Sequence, residues 1–142
     1  MMEDMKGKIR VFCRTRPMSG SEKERKCELC VDYPDEVSIG VIGDKGRKEF
    51  LFDQCFTPAA SQAEVFEDAS HLIQPAFDGF DVCIFAYGQS GSGKTFTMVG
   101  PPSLPGLTPR AIGNIFDNKA ALKGKSTVTI TVYMAELYND GK

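Results

Sequence analysis

An α/β fold with a central mixed β-sheet flanked by helices is predicted, and three features of the sequence predict it. Residues 81–87 (Asp-Val-Cys-Ile-Phe-Ala-Tyr) form a nearly continuous apolar run, the pattern of a central strand covered on both faces, and they lead directly into a glycine-rich segment and a helix start. Ser61 precedes residues 62–77 with Glu64 three positions on, a capping box ahead of apolar positions Val65, Phe66, Ala69, Leu72, Ile73 and Ala76 at helical spacing. Residues 36–42 and 47–52 alternate in character around Gly43-Asp44-Lys45-Gly46, which reads as a hairpin in a small antiparallel lobe near residues 28–52.

The remaining elements follow in chain order. Residues 8–14 (Lys-Ile-Arg-Val-Phe-Cys-Arg) are rich in β-branched and aromatic side chains and end at Arg16-Pro17, as a first strand entering a loop does. Asp78-Gly79 is a turn. Residues 94–99 can start a helix, residues 100–105 interrupt it with three prolines, and residues 109–122 resume helical spacing through Ile112, Ile115 and Phe116. Residues 126–138 alternate β-branched side chains and then run apolar, predicting a further strand. Neither an internal repeat nor a low-complexity tract is present.

Composition narrows the function. The 142 residues, 42% of them hydrophobic, suit one domain with a real core. With 25% charged residues and a net charge of −2, no polyanion-binding surface is indicated, so nucleic acid is not an expected partner. No apolar run reaches the roughly 20 residues of a membrane span, and residues 1–8 lack the apolar centre of a signal peptide. A soluble intracellular protein is expected, in which Cys13, Cys27, Cys30, Cys55 and Cys83, an odd set, are reduced thiols.

The segment Gly88-Gln89-Ser90-Gly91-Ser92-Gly93-Lys94-Thr95 satisfies G-x-x-x-x-G-K-[ST] and lies between a strand pattern and a helix start, where a phosphate-binding loop has to be. Its glycines allow the backbone to curl so that successive N–H groups face phosphate oxygens, with the positive end of the following helix behind them. Lys94 is placed to reach the β- and γ-phosphates, and the Thr95 hydroxyl is placed to ligate the Mg²⁺ that bridges them. ATP or ADP with Mg²⁺ is the ligand these residues predict.

The longer run 85–98 (Phe-Ala-Tyr-Gly-Gln-Ser-Gly-Ser-Gly-Lys-Thr-Phe-Thr-Met) resembles the phosphate-loop signature of kinesin motor domains, and Arg14-Thr15-Arg16-Pro17 resembles their R-x-R-P. The resemblance continues through Phe66-Glu67-Asp68, residues 81–87, Pro105-Gly106-Leu107-Thr108-Pro109-Arg110 and residues 133–139, nearly the whole chain. It implies a P-loop NTPase, kinesin-motor-like fold, truncated relative to the family's domain, with residues 1–8 the end of a neck or linker and residues 9–142 the N-terminal part of the motor. Arg14, Arg16 and Pro17 would flank adenine, with Phe96 as an aromatic site near the base; a purine gains from an apolar partner and a guanidinium over its face. Without the resemblance, a solvated strand end is the lesser alternative for Arg14 and Arg16.

Residues 5–14 are similar to the neck–motor junction of C-terminal-motor, minus-end-directed kinesins, and residues 133–140 with 105–110 resemble the calmodulin-binding members of that group. The implied partners are microtubules, with homodimerisation through a neck coiled coil outside this chain, and the implied location is the cytoplasm and its microtubule cytoskeleton. The family's two γ-phosphate-sensing loops, of Asn-x-x-Ser-Ser-Arg-Ser-His and Asp-x-x-Gly type, are expected after residue 142; Asp4-Met5-Lys6-Gly7 fits the second formally but precedes the first strand. Two functions stay open: part of an ATP-driven microtubule motor, or a non-motor module that binds nucleotide without turnover. With the sheet truncated, residues 81–87 and 8–14 would lack neighbours, which predicts marginal stability.

Four other candidates are weaker. Glu136 could be a Walker B-like carboxylate near Mg²⁺ in an unrelated P-loop enzyme, whereas the kinesin alignment makes it an ordinary strand-end residue. Cys27-Glu28-Leu29-Cys30 lacks a second pair to complete a zinc site, and His71, the single histidine, falls on the predicted helix as a boundary residue. Residues 22–26 (Glu-Lys-Glu-Arg-Lys) read as a solvated loop or short helical turn, with tubulin contact as the alternative.

Overall fold

The structure, a computed structural model, describes residues 9–136. Its first strand, β1 (Phe12–Arg14), is shorter than the sequence predicts and runs parallel to β5 (Gln54–Phe56), pairing Cys13 with Cys55. Upstream of the ladder, the Asp53 carboxylate accepts from the Val11 amide at 2.7 Å and the Asp53 amide donates to the Val11 carbonyl at 3.0 Å, so the pairing continues without being a regular strand. Phe12 and Phe56 meet edge to face, with ring centroids 6.1 Å apart. Burial pushes the Cys13 and Cys55 thiols upward, which keeps them protonated, and all five cysteines are free.

The antiparallel lobe forms as expected. Between β3 (Ser38–Gly43) and β4 (Gly46–Leu51) the turn is two residues long, and Gly46 takes φ +95°, a conformation costly for any side chain with a Cβ. A short β2 (Val31–Asp32) completes this sheet in the order β2-β3-β4. On its exposed face the Arg47 guanidinium bridges the Asp32 and Glu49 carboxylates at 2.7 and 2.9 Å.

The run read as a solvated loop or short helical turn, residues 22–26, begins inside a five-residue helix, α1 (Gly20–Glu24), started by a Ser19–Glu22 capping box. The predicted helix over 62–77 is two helices, α2 (Gln62–Ser70) and α3 (Ile73–Phe77). The Ser61–Glu64 capping box is present at its start. Pro75 accounts for the break: it has no N–H to donate to the His71 carbonyl, and its ring would collide with that carbonyl in a continuous helix. Val65, Ala69 and Ile73 from this pair are buried, as are Ile39, Cys55 and Phe56 of the sheets, and these six are the buried apolar residues among those described.

The loop helix, α4 (Lys94–Met98), is followed by the proline-rich interruption and then by α5 (Leu107–Ala121). The interruption is tightly folded, with the Gly106 amide donating to the Val99 carbonyl at 2.8 Å and Leu104 N–H to Pro101 at 2.9 Å.

Two expectations fail. Residues 81–87 and 126–136 have no ladder partner among the described residues, and instead of one central mixed sheet there are two small ones, β1-β5 and β2-β3-β4. A strand exists through its neighbour's N–H and C=O groups, and while β1 pairs with β5 on one edge, no described segment is aligned to pair with residues 81–87. Val82 and Ile84 still turn toward α3 and α5, beside Ile73, Met98 and Ile112, whereas Phe85 and Tyr87 are 80% and 95% exposed. The predicted strand over 126–138 extends past the described residues, as do the neck segment 1–8 and part of the 133–140 resemblance. No described helix is long and apolar enough to cross a membrane.

Candidate functional site

The predicted phosphate loop is curled as its sequence requires. Gly88, Gly91 and Gly93 all have positive φ, at +152°, +76° and +100°. A Cβ on Gly88 would lie 2.6 Å from the Ser92 hydroxyl, so Ser92 would have to shift to admit one. The turn closes through the Ser92 amide, which donates to the Gln89 carbonyl at 3.2 Å. The amides of Gly91, Gly93, Lys94 and Thr95 find no acceptor among the described residues, and Gly93, which caps α4, offers no side chain to them. Four neighbouring donors of this kind present a concave positive surface to an anion. Because α4 is only five residues long, loop amides rather than a helix dipole dominate that surface.

Lys94 folds back over the loop: its Nζ donates to the carbonyls of Gly88 and Gln89 at 2.8 and 2.9 Å. The ammonium is thus held at the loop's rim by exposed bonds that are easily exchanged. Thr95 and Ser90 are exposed, the former in the first turn of α4 with its hydroxyl free of any partner among the described residues.

The R-x-R-P segment lies beside this loop. Arg16 Cβ is the nearest atom, at 3.9 Å, to a Cβ built on Gly93. Arg14, at the end of β1, sets its guanidinium carbon 5.3 Å from the centre of the Phe96 ring on α4, a cation–π distance. Its Nη1 donates to Gln62 Oε1 at 2.7 Å and Thr97 Oγ1 at 3.0 Å, and its Nη2 donates to the Ala60 carbonyl at 3.3 Å. Partial burial draws the Arg14 pKa down from its ordinary value, far from where its charge would be in question.

Arg16 is engaged differently, in a two-pronged ion pair with Glu22 at 2.5 and 2.8 Å. Arg16 holds the Glu22 carboxyl well below the usual carboxylate range, assisted by the Ser19 cap. Pro17 directs its carbonyl to Arg16 Nη1 at 3.0 Å. The structure therefore brings Arg14 to Phe96 and Arg16 to Gly93, while turning the Arg16 head toward α1.

Sequence reasoning missed Gln62, Thr97 and Glu22. Gln62 is 5% exposed and meets partners 34 to 48 positions away, so nothing local in the sequence marked it. Among the weaker candidates, Glu136 and the Cys27/Cys30 pair are exposed, His71 caps the C-terminal end of α2, and no metal-binding cluster occurs among the described residues.

The family described as "Microtubule binding" matches residues 1–142. The kinesin-like protein KIN-14I of Oryza sativa subsp. japonica is 47% identical over 140 residues, covering 98% of this chain and 11% of the relative. KIN-14E of Arabidopsis thaliana is 45% identical over 140 residues with the same coverages, and KIN-14Q of Oryza sativa subsp. japonica is 45% identical over 148 residues, covering 98% and 15%. The chain thus spans only 11% to 15% of the length of these relatives. With the family matched from end to end, this chain belongs to the microtubule-binding family, and the relatives aligned along it are kinesin-like proteins of the KIN-14 kind.

Proposed function

We propose that the chain is the nucleotide-binding N-terminal portion of a kinesin motor domain of C-terminal-motor type, residues 9–142 belonging to the motor and residues 1–8 to the end of its neck. The observation that carries this reading is the curled loop at residues 88–95, with four unpartnered amides and a lysine folded over its rim. The arrangement fits a nucleotide triphosphate tail. Amides of Gly91, Gly93, Lys94 and Thr95 would hold phosphate oxygens, and Lys94 Nζ would leave two carbonyls for the β- and γ-phosphates. The Thr95 hydroxyl would hold Mg²⁺, which when bound neutralises the charge shared by those phosphates.

Arg14 and Phe96, already apposed, form one side of a purine site, with Arg16 and Pro17 on the adjoining segment. Gln89, Ser90 and Ser92 serve as loop spacers: two of them close the turn, and Ser90 is its exposed tip. In the parent protein this site would drive movement along microtubules, with the cytoskeleton as its location, as the family description and the relatives support. By itself the 142-residue chain is proposed to bind without turnover. It contains no Ser-Ser-Arg-Ser-His segment and no Asp-x-x-Gly after the loop, and hydrolysis needs a group that orients water. Calorimetric titration with ATP in the presence and absence of Mg²⁺ tests the binding: saturable magnesium-dependent uptake is expected, and none at millimolar nucleotide by well-folded protein would overturn the reading. Co-sedimentation of the full-length parent with microtubules tests its wider half.

A further inference from the structure

Gln62 joins both members of the Arg14–Phe96 pair. Its Oε1 accepts from Arg14 Nη1 at 2.7 Å, and its Nε2 donates to the main-chain carbonyl of Phe96 at 2.7 Å and to that of Leu104 at 3.2 Å. The orientation of the carboxamide is fixed by these partners: the flipped amide would set N–H against N–H and oxygen against two carbonyls. The side chain is buried, so all three bonds form away from competing water. Gly100, at φ +66°, lies in the same packing: a Cβ there would collide with the Leu104 carbonyl oxygen and fall 2.8 Å from the Gly106 amide and 2.9 Å from Gln62 Nε2.

We propose that Gln62 is the positioning residue of the purine subsite, holding the Arg14 guanidinium against the Phe96 ring so that the base, and not the phosphates alone, contributes to affinity. This rests on the nucleotide reading above. Without Gln62, Arg14 Nη1 keeps only the weaker Thr97 contact, and the Phe96 carbonyl and the 100–106 loop lose their shared anchor. The guanidinium, left with the Thr97 hydroxyl and the longer bond to the Ala60 carbonyl, is then held less firmly against the ring, whereas the phosphate loop, tied by its own bonds, stays as it is.

The test compares magnesium-dependent binding of ATP with that of inorganic tripolyphosphate, which carries the same phosphates and no base. In Gln62→Met, which keeps length and apolar volume, ATP affinity is expected to fall about tenfold, the scale of one lost bond to a charged group, with tripolyphosphate affinity within about twofold of the parent. Combined with Arg14→Ala, Gln62→Met is expected to add no further loss, because it acts through Arg14. Gln62→Asn keeps a carboxamide on a stem one methylene too short to reach Arg14 and guards against a Met variant that does not fold; its ATP affinity is likewise expected to fall while tripolyphosphate affinity holds. An unchanged ATP-to-tripolyphosphate ratio in folded Gln62→Met, an equal fall for both ligands, or additivity with Arg14→Ala would each overturn the assignment of Gln62 while leaving the phosphate loop standing. A parent chain that binds neither ligand would overturn both.

Discussion

Replacing Lys94 with alanine isolates the charge at the phosphate loop. In the free chain Nζ donates to the Gly88 and Gln89 carbonyls at 2.8 and 2.9 Å, in solvent-exposed bonds. Exposed bonds of this kind are worth about 1 kcal/mol each, so binding exchanges about 2 kcal/mol of carbonyl contact for attraction to phosphate. One unit-charge pair near 4 Å in a half-solvated site contributes about 4 kcal/mol, and a terminal phosphate carries more than one charge, so the net gain lies near 2–3 kcal/mol. Lys94→Ala should therefore weaken Mg·ATP binding by roughly 30- to 150-fold, with a smaller loss for ADP, which lacks the γ-phosphate. Stability should barely change, because the lost bonds are on the surface and alanine suits the first turn of α4. Isothermal calorimetry with both nucleotides, alongside a thermal melt, reads each quantity separately. Near-parental ATP affinity in the folded variant would refute the assignment of Lys94 to the phosphates.

Other substitutions probe different parts of the frame. Gly88→Ala places a side chain at φ +152° and against Ser92 Oγ; ATP affinity should fall at least tenfold, and Ser92→Gly in the same chain should restore only the part due to collision, as nucleotide titration would show. Ser61→Ala removes a reciprocal cap and should lower stability by about 1 kcal/mol in urea unfolding, with no change in the magnesium dependence of nucleotide binding. Since the Glu22 carboxyl is held below its ordinary value of 4.5, its pairing with Arg16 contributes fully above that value and is lost as pH falls through its own lower midpoint. Glu22 should thus titrate below its ordinary value of 4.5 in a carboxyl-detected NMR series, and Arg16→Ala should return it toward that value.

The sequence by itself determined whatever depends on short-range rules. Ser61 and Glu64 start a helix because the two caps are three residues apart, the hairpin turns at Gly46 because only glycine takes that φ freely, and Gly88 to Thr95 curl into a donor-lined loop for the same reason. Pro75 was equally visible at residue level, and the helical periodicity over 62–77 concealed the break it makes. Only the tertiary structure decided which segments are strands. Residues 81–87 and 126–136 have the composition of strands, but a ladder needs a partner's aligned N–H and C=O groups, and no described segment supplies them to either run. The site divides in the same way: its loop is local and was legible, whereas the seat of Arg14 is made by Gln62 and by Phe96 and Thr97, which lie 48 and more than 80 positions from it, and only folding brings them to one guanidinium.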